Sequence, residues 1–169
     1  RSGKCRADTI TMAHGSGGKA MRDLIDDVFV STFDNDELSK LEDQARFSLG
    51  SLSNAGDRLA LTTDSYVVDP LFFPGGDIGK LAITGTVNDL AVGGAIPLYL
   101  TCGMIIEEGM LVDELRAITA SMRMTADKAG VKVVTGDTKV VPRGAADKLF
   151  INTAGVGVIP EGVNIASHR

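Results

Sequence analysis

The 169-residue sequence contains no tryptophan, and aromatic residues make up only 5% of it. Proteins that bind single-stranded nucleic acid stack bases on aromatic side chains, so this class of function is disfavoured. The net charge is −5 at pH 7, and no segment forms a dense basic patch. Binding driven by the phosphate backbone of nucleic acid is therefore disfavoured as well.

Cysteine is scarce too, since only Cys5 and Cys102 are present and their spacing fits no metal site. Two cysteines are too few for a disulfide framework, which predicts a reducing, cytoplasmic setting. No apolar run reaches the roughly 18 residues of a membrane span, so we expect no membrane association. The basic N-terminal residues lead to no apolar signal-peptide core, which predicts a soluble intracellular domain.

Apolar residues reach 44% of the chain, enough for the core of one domain. Helical periodicity indicates three helices, over about 21–29, 77–92 and 111–129. Strand-like stretches occupy 9–13, 58–68, 98–106, 131–134 and 150–159. Asp77 is the expected cap of the second helix, and Gly130 the expected end of the third. This order predicts an α+β, or mixed α/β, fold.

The remaining stretches are expected to be irregular. The acidic residues 34–44 indicate a surface connection, and the proline- and glycine-rich residues 70–76 indicate a loop. We also predict a loop at Gly136-Asp137, directly after the short strand over 131–134.

A glycine cluster containing Gly15, Gly17 and Gly18 opens the first predicted helix and is followed by Lys19. It fits the G-x-G-x-x-A pattern formally, but it lacks the flanking strands of a dinucleotide-binding fold and is no Walker A motif. Such a loop presents backbone N–H groups to phosphate, with Lys19 as a phosphate partner. A plain helix-entry turn is the alternative, and His14 beside it is more often structural than catalytic at such a position.

Aspartates in short polar motifs interrupt the apolar stretches at Asp64, Asp89 and Asp137, with Asp57 seven residues before the first. Carboxylates beside glycine, threonine and lysine suit Mg²⁺ shared with phosphates. Along an extended strand, Asp57 and Asp64 would be roughly 23 Å apart, so the two have separate roles or a second subunit completes each site. Asp57 is equally typical of a turn.

Asp89 shares a predicted helical face with Gly85 and Val92, and Asn88 precedes it. A carboxylate on a small or apolar face needs a partner, because an unpaired buried charge is costly. A bound cation would supply the partner, and a structural salt bridge or cap is the alternative.

Gly136-Asp137-Thr138-Lys139 follows a strand that we expect to be buried. Ligands gather beyond strand ends in α/β sheets, so Asp137 is a candidate to hold Mg²⁺ and Lys139 to neutralise phosphate charge. The alternative is an ordinary turn with a charged rim.

These motifs together resemble the PurM-like (aminoimidazole-ribonucleotide-synthetase-like) ATP-binding superfamily, and within it the HypE-type carbamoyl dehydratases. The resemblance covers about residues 10–160. It is carried by the following stretches: His14–Gly18, Thr63–Gly76, Ile78–Leu81, Asn88-Asp89 and Gly136–Val141. It implies a PurM N-terminal-like domain, in which a β-sheet flanked by helices pairs with a second sheet in a homodimer.

The resemblance also implies an activity. Enzymes of this group use Mg²⁺ and ATP to dehydrate a thiocarboxamide on their own C-terminal cysteine, which yields a thiocyanate for the cyanide ligands of [NiFe]-hydrogenase. The implied partners are the carbamoyltransferase HypF and the HypC–HypD complex. Carried over by position, the implied site residues are Lys139 and Asp137 for catalysis, Asp57, Asp64, Asp89 and Asp137 for metal, and Gly15, Gly17, Gly18, Lys19, Asp64, Asn88, Asp89 and Thr138 for the nucleotide.

The sequence departs from the group in one respect. A second domain and a substrate-carrying terminal cysteine are absent from these residues, so we expect an N-terminal fragment that is inactive alone. Two alternatives stay open: another PurM-like enzyme, such as selenophosphate synthetase, thiamine-monophosphate kinase or aminoimidazole-ribonucleotide synthetase, and a non-catalytic dimerisation module.

Overall fold

A four-stranded sheet organises residues 3–166, the part of the chain that the computed structural model describes. Its strands are β1 (Arg58–Tyr66), β4 (Ile96–Glu107), β5 (Lys132–Val141) and β6 (Leu149–Ile159), in the spatial order β1-β6-β4-β5. Strand β6 pairs antiparallel with β1 and β4, whereas β4 and β5 are parallel. A two-residue hairpin, β2 (Phe72–Phe73) with β3 (Gly76–Asp77), leads into the helices.

Two long helices, α4 (Ile78–Val92) and α5 (Val112–Ala129), are the largest helical elements of the described residues. The predicted cap of α4 is confirmed, because the Asp77 carboxylate accepts the Lys80 N–H at 2.9 Å. The predicted end of α5 is also confirmed, since Gly130 takes a left-handed conformation with φ of 70°. The shorter helical segments are α1 (Lys19–Leu24), the π-helical Ile25–Val30, α2 (Ser31–Phe33), α3 (Leu49–Ser53), and 3-10 turns at Met12–Gly15 and Leu38–Lys40.

The core lies between the helices and one face of the sheet. Alternate residues of β4 are buried there, from Leu100 to Ile106, because side chains of a strand point to opposite faces in turn. Leu115, Ile118 and Met122 of α5 are fully buried on the other side of this interface. The predicted mixed α/β fold with a helix-flanked sheet is therefore confirmed. None of the helices described within residues 3–166 is long and apolar enough to cross a membrane.

The opposite face of the sheet, termed the open face, is covered in part, because Phe47 stacks on Tyr99 of β4 with ring centroids 3.9 Å apart, but other apolar side chains on it are exposed. Leu61 is 72% exposed, and Leu59 and Ile105 are 56% and 41% exposed. Leu61 pairs with the half-buried Val156 of β6, so the two side chains share this face. Exposed apolar groups that are contiguous across a sheet mark an interaction surface.

Two predictions of secondary structure are wrong, the end of the strand over 131–134 and the strand over 9–13. Gly136 and Asp137 lie inside β5, where they pair with Cys102 and Gly103 of β4, and not in a loop after it. The predicted strand over 9–13 is reduced to one bridge, between Thr9 and Leu111. Glycine and aspartate are poor strand formers, but backbone pairing along the neighbouring strand outweighs that preference.

The N-terminal segment is held to the helices through Asp27, in the π-helical turn. Its carboxylate accepts the Cys5 N–H at 2.9 Å and an Arg116 Nη2–H at 2.6 Å. The hydrogen bond from Arg116 lowers the pKa of Asp27, and it outweighs burial, which raises this pKa.

We expect the substitution Asp27→Asn to destabilise the fold by about 1–2 kcal/mol at pH 7, because it removes a charge-assisted hydrogen bond. A lowered folded-state pKa stabilises the fold above the unfolded value of about 3.9, and this contribution is lost as the pH falls through the folded pKa. The difference in the free energy of unfolding between parent and variant should therefore become smaller towards pH 3. Urea unfolding at pH 7 and pH 3 measures it, with Asp36→Asn, an exposed position, as the control. A gap independent of pH would contradict the assignment.

Candidate functional site

The glycine loop packs beside β5. A Cβ atom on Gly15 would lie 2.9 Å from Cβ of Val140, so only glycine allows this approach. Gly17 has a φ of 79°, and Gly18 is the N-cap of α1. The loop thus lies three residues along β5 from Asp137. Lys19 is exposed and forms an ion pair with Asp23 one helical turn on.

Strand β5 carries the predicted catalytic pair. Asp137 and Lys139 project to the same side of the strand and form an exposed ion pair, with Lys139 Nζ 3.2 Å from an Asp137 carboxylate oxygen. They lie opposite Gly103 and Ile105, and so on the open face. Thr138 points to the helix side and is buried, which separates its hydroxyl from this pair.

Asp64 lies inside β1 opposite Thr153, within the strand predicted over 58–68. One of its carboxylate oxygens accepts the Ser65 N–H at 2.8 Å. Asn88 and Asp89 are exposed on α4, so the expected burial of Asp89 is wrong. The physical reason is that this face of α4 is turned to solvent, as the 74% exposure of Val92 shows.

The structure nonetheless places Asp64 and Asp89 close enough to the Tyr66 phenol for both charges to act on it. Burial raises the pKa of Tyr66, and the negative charges of Asp64 and Asp89 raise this pKa further. The Tyr66 hydroxyl is 2.9 Å from Thr86 Oγ1, which is 2.6 Å from Thr153 Oγ1. This buried hydroxyl chain fixes the place where β1 and α4 meet.

The acidic residues form two groups at opposite edges of the sheet. Three strand spacings, about 14 Å, separate β1 from β5. Asp57 lies just before the far end of β1, beside Arg58 at 3.4 Å. Within residues 3–166, no three His, Cys, Asp or Glu side chains are grouped to hold a metal ion. The four predicted aspartates, Asp57, Asp64, Asp89 and Asp137, therefore do not form one metal site within a single chain.

Sequence reasoning missed two acids. Glu42 and Asp43 line the same cavity as Asp137, in the stretch we interpreted as a surface connection. This cavity, termed the β5 cavity, has a volume of about 450 Å³ and is otherwise mainly apolar, with residues such as Phe29 and Met104 in its walls. Its size and lining are typical of a small-molecule site. The sequence signal was weak, because an acidic pair in a polar stretch most often faces solvent.

Comparison with known proteins identifies the family to which this chain belongs. Residues 42–159 match the family described as AIR synthase related protein, N-terminal domain. The chain belongs to this AIR synthase related family. The matched segment begins at Glu42, so it includes both acids that sequence reasoning missed, and it also contains the whole sheet.

Within the AIR synthase related family, the chain is similar to HypE proteins, which confirms the resemblance. It is 60% identical over 157 residues to the carbamoyl dehydratase HypE of Escherichia coli strain K12, covering 93% of this chain and 47% of the relative. A solved HypE in complex with ATP matches with 56% identity and a TM-score of 0.84, over 89% of this chain and 43% of that one.

A solved HypE–HypF complex matches with 53% identity and a TM-score of 0.63, over 83% of this chain and 44% of that one. The chain thus spans about half the length of the curated relatives that it matches.

Proposed function

We propose that this chain is the ATP- and Mg²⁺-binding, dimer-forming half of a HypE-type carbamoyl dehydratase. The observation that carries the proposal is the match, at 56% identity and a TM-score of 0.84, to a HypE protein solved with ATP. At that identity the backbone fold is shared, so ATP is the first ligand to test.

The donor set of this chain fits such a ligand. Carboxylates at Asp64, Asp89 and Asp137 provide the hard oxygen atoms that Mg²⁺ prefers. Lys139 carries a positive charge on a rigid strand, 67% exposed and ready to pair with a phosphate oxygen. The glycine loop lies against the same strand, and its backbone is unobstructed at Gly17 and Gly18.

The proposed reaction divides the work between substrate, nucleotide and protein. ATP would transfer its terminal phosphoryl group to the oxygen of the cysteine thiocarboxamide with release of ADP, and loss of phosphate together with the two amide protons would yield the thiocyanate. Lys139 would donate to this oxygen and stabilise the negative charge that gathers on it, and Asp137 would position the Lys139 ammonium through their ion pair. The remaining acids would organise Mg²⁺, and the thiocarboxamide would come from a segment beyond this chain. We therefore expect this chain alone to bind nucleotide without dehydratase activity.

The open face supports a homodimer. Its apolar side chains, including Leu61 and Ile105, lose their contact with water only if a second layer covers them. A second copy of the sheet supplies such a layer by a two-fold axis, the commonest symmetry of homo-oligomers. A two-fold axis that runs along the strands would bring β1 of one chain to β5 of its partner.

Such a dimer would complete the acidic site. Within one chain, Asp64 and Asp89 lie at the β1 edge, whereas Asp137 and Lys139 lie at the β5 edge. Asp64 and Asp89 lie on the helix side of the sheet, and Asp137 and Lys139 lie on the open face. A composite site would therefore form around the rim where β1 of one chain meets β5 of its partner, with two such sites per dimer. Asp57, at the far end of β1, stays outside this arrangement unless the partner reaches it.

The proposed partners are those implied by similarity to the HypE-type carbamoyl dehydratases. HypF is the first, because a HypE–HypF complex is among the matching structures. The HypC–HypD complex would receive the product, and a cytoplasmic setting suits both steps. A non-catalytic dimerisation module is the competing function, which the open face alone would equally support.

Isothermal titration with Mg²⁺ and a non-hydrolysable ATP analogue separates the two functions. We expect saturable, Mg²⁺-dependent binding by the parent chain. The affinity of Asp89→Asn should be lower by a factor of about 10 or more, because a contact to a charged group is worth about 1.5–3 kcal/mol. The matched control is Asp113→Asn, an exposed acid in the first turn of α5. A folded dimer that binds no nucleotide would leave only the dimerisation module, and unchanged affinity in Asp89→Asn would remove Asp89 from the site.

A further inference from the structure

Four buried residues at the junction of β1, β6 and α4 are joined in one hydrogen-bonded chain. Tyr66 ends β1, Thr153 lies in β6, and Ala82 and Thr86 lie one turn apart on α4. The exposed fraction is 6% for Tyr66 and 0% for the other three residues. Each hydroxyl group of the chain therefore depends on its neighbour, and not on solvent, for a hydrogen-bond partner.

The contacts fix the direction of this chain. Thr153 Oγ1 donates to the carbonyl oxygen of Ala82 at 2.7 Å, since a carbonyl group can only accept. Because that proton is in use, Thr86 is the donor in the 2.6 Å contact between the two threonine hydroxyls. Tyr66 then donates to Thr86 Oγ1, at 2.9 Å. The phenol is thus the first donor of a chain whose members cannot turn away without leaving a buried polar group unpaired.

Two glycines let α4 come close enough to the sheet for this chain to form. A Cβ atom on Gly85 would lie 2.4 Å from the Tyr66 phenol oxygen, and one on Gly155 would lie 3.0 Å from Cγ2 of Thr86. The phenol therefore lies against the backbone of α4, and the Thr86 side chain lies against the backbone of β6. Close packing on both sides holds the donor and its acceptor in place.

Each end of the Tyr66–Thr86 hydrogen bond is close in sequence to a predicted metal ligand. Asp64 precedes Tyr66 by two residues in β1, so both side chains lie on the helix side of this strand. Asp89 follows Thr86 by three residues in α4, so these two are neighbours on the helix surface. Both carboxylates are exposed, whereas the tyrosine and the threonine are buried. A bond between the buried pair thus joins the two elements that carry the exposed pair.

We propose that Tyr66 is a positioning residue for the Mg²⁺–nucleotide site, an inference that rests on the proposed function. By donating to Thr86, it holds β1 against α4 and so fixes the separation of Asp64 and Asp89 before a metal ion binds. Mg²⁺ demands near-ideal octahedral geometry, so its affinity depends on where its carboxylate ligands stand. Tyr66 would itself touch neither the metal nor the nucleotide, because its hydroxyl group is buried and committed to Thr86.

Substitutions at both ends of this hydrogen bond test the proposal. Tyr66→Phe removes the donor, and Thr86→Val removes the acceptor but keeps a methyl group in place of Cγ2. Thr86→Ser does the reverse, because it keeps the acceptor and removes that methyl group. Changes to residues that orient metal ligands typically cost 10–100-fold in affinity. At saturating Mg²⁺, we therefore expect Tyr66→Phe and Thr86→Val to bind a non-hydrolysable ATP analogue about 10-fold more weakly than the parent, and Thr86→Ser to match the parent.

Two further variants separate positioning from stability. Because Tyr66→Phe and Thr86→Val break the same bond, the double variant should lose about 10-fold in affinity, and not the roughly 100-fold of two independent effects. The matched control is Thr119→Val, whose hydroxyl group is equally buried but donates to the Arg116 carbonyl within α5, at 3.0 Å. This control should lose stability in urea and keep the affinity of the parent.

Isothermal titration at a temperature where every variant is folded measures these affinities. If the parent binds, then unchanged affinity in Tyr66→Phe and Thr86→Val, or an equal loss in Thr86→Ser or Thr119→Val, would overturn the proposal for Tyr66 alone. A parent chain that binds no Mg²⁺–nucleotide would instead overturn the proposed function, and the role of Tyr66 with it. If Tyr66→Phe does not fold, the comparison of Thr86→Val with Thr86→Ser still decides between positioning and packing.

Discussion

Mixed dimers of an Asp64→Asn chain and an Asp137→Asn chain should recover nucleotide binding that neither chain shows alone. If each site takes Asp64 from one chain and Asp137 from the other, a heterodimer contains one intact site and one doubly altered site. We expect about one nucleotide per purified heterodimer, two per parent dimer, and affinities weakened about 100-fold in both homodimers. Differently tagged chains, mixed after partial unfolding and purified through both tags, allow the titration.

A site built from one chain alone predicts a different number of nucleotides bound per heterodimer. If both aspartates of a site came from one chain, every site in the heterodimer would carry one substitution and no binding would return. The geometry favours recovery, because β1 and β5 are the two edges of the sheet and about 14 Å of sheet separates them. A heterodimer of an Asp113→Asn chain with a parent chain is the control for the exchange procedure. It should bind two nucleotides.

Local signals in the sequence predicted the elements whose causes are themselves local. Asp77 caps α4 and Gly130 ends α5 as expected, because each acts through hydrogen bonds or dihedral angles within one turn. The period of α5 likewise predicted one apolar face, on which Leu115, Ile118 and Met122 are fully buried.

Long-range pairing explains most of what was missed. Gly136 and Asp137 have weak strand propensity, so sequence reasoning ended the strand before them, yet β4 pairs with them in parallel register. The burial of Asp89 was misjudged because helical periodicity shows which residues share a face but not which face meets the core. Glu42 and Asp43 reach the β5 cavity through a connection without periodicity, so nothing local marked them.

The membership of the candidate site stays a prediction, and the structure shows only where its residues lie. Asp64 and Asp89 both act on the charge state of the Tyr66 phenol, whereas Asp137 lies at the opposite edge. Residue types show what chemistry a site can perform, but the strand order that separates them depends on the whole sheet.

Gly136→Ala should be the most destabilising substitution in this region of the sheet. A Cβ atom at this position would lie 2.3 Å from the carbonyl oxygen of Cys102, and both groups belong to the β4–β5 ladder. Relief requires β5 to move away and lose hydrogen bonds, so we expect the free energy of unfolding to fall by about 3 kcal/mol. For a chain of this size, the melting temperature should fall by about 6–12 °C. Urea and thermal unfolding measure both quantities.

The matched control is Gly103→Ala on the adjacent strand, where the nearest atom to a new Cβ is the Asn152 carbonyl oxygen at 4.0 Å. Its loss of stability should be far smaller. An equal effect of the two substitutions would show that intrinsic strand preference, and not the close approach to Cys102, decides the cost at Gly136.

The same substitution also tests the role of β5 in binding. Asp137 follows Gly136 directly, so a displaced strand moves the carboxylate and the Lys139 ammonium together. Well below the melting temperature, Gly136→Ala should therefore weaken Mg²⁺–nucleotide binding. Gly56→Ala is a comparison of similar steric cost at the far end of β1, since its Cβ would lie 2.2 Å from the Ile159 carbonyl oxygen. That variant should lose stability but keep its affinity. If both variants lost affinity equally, binding would depend on global stability, and β5 would have no specific part in positioning the ligand.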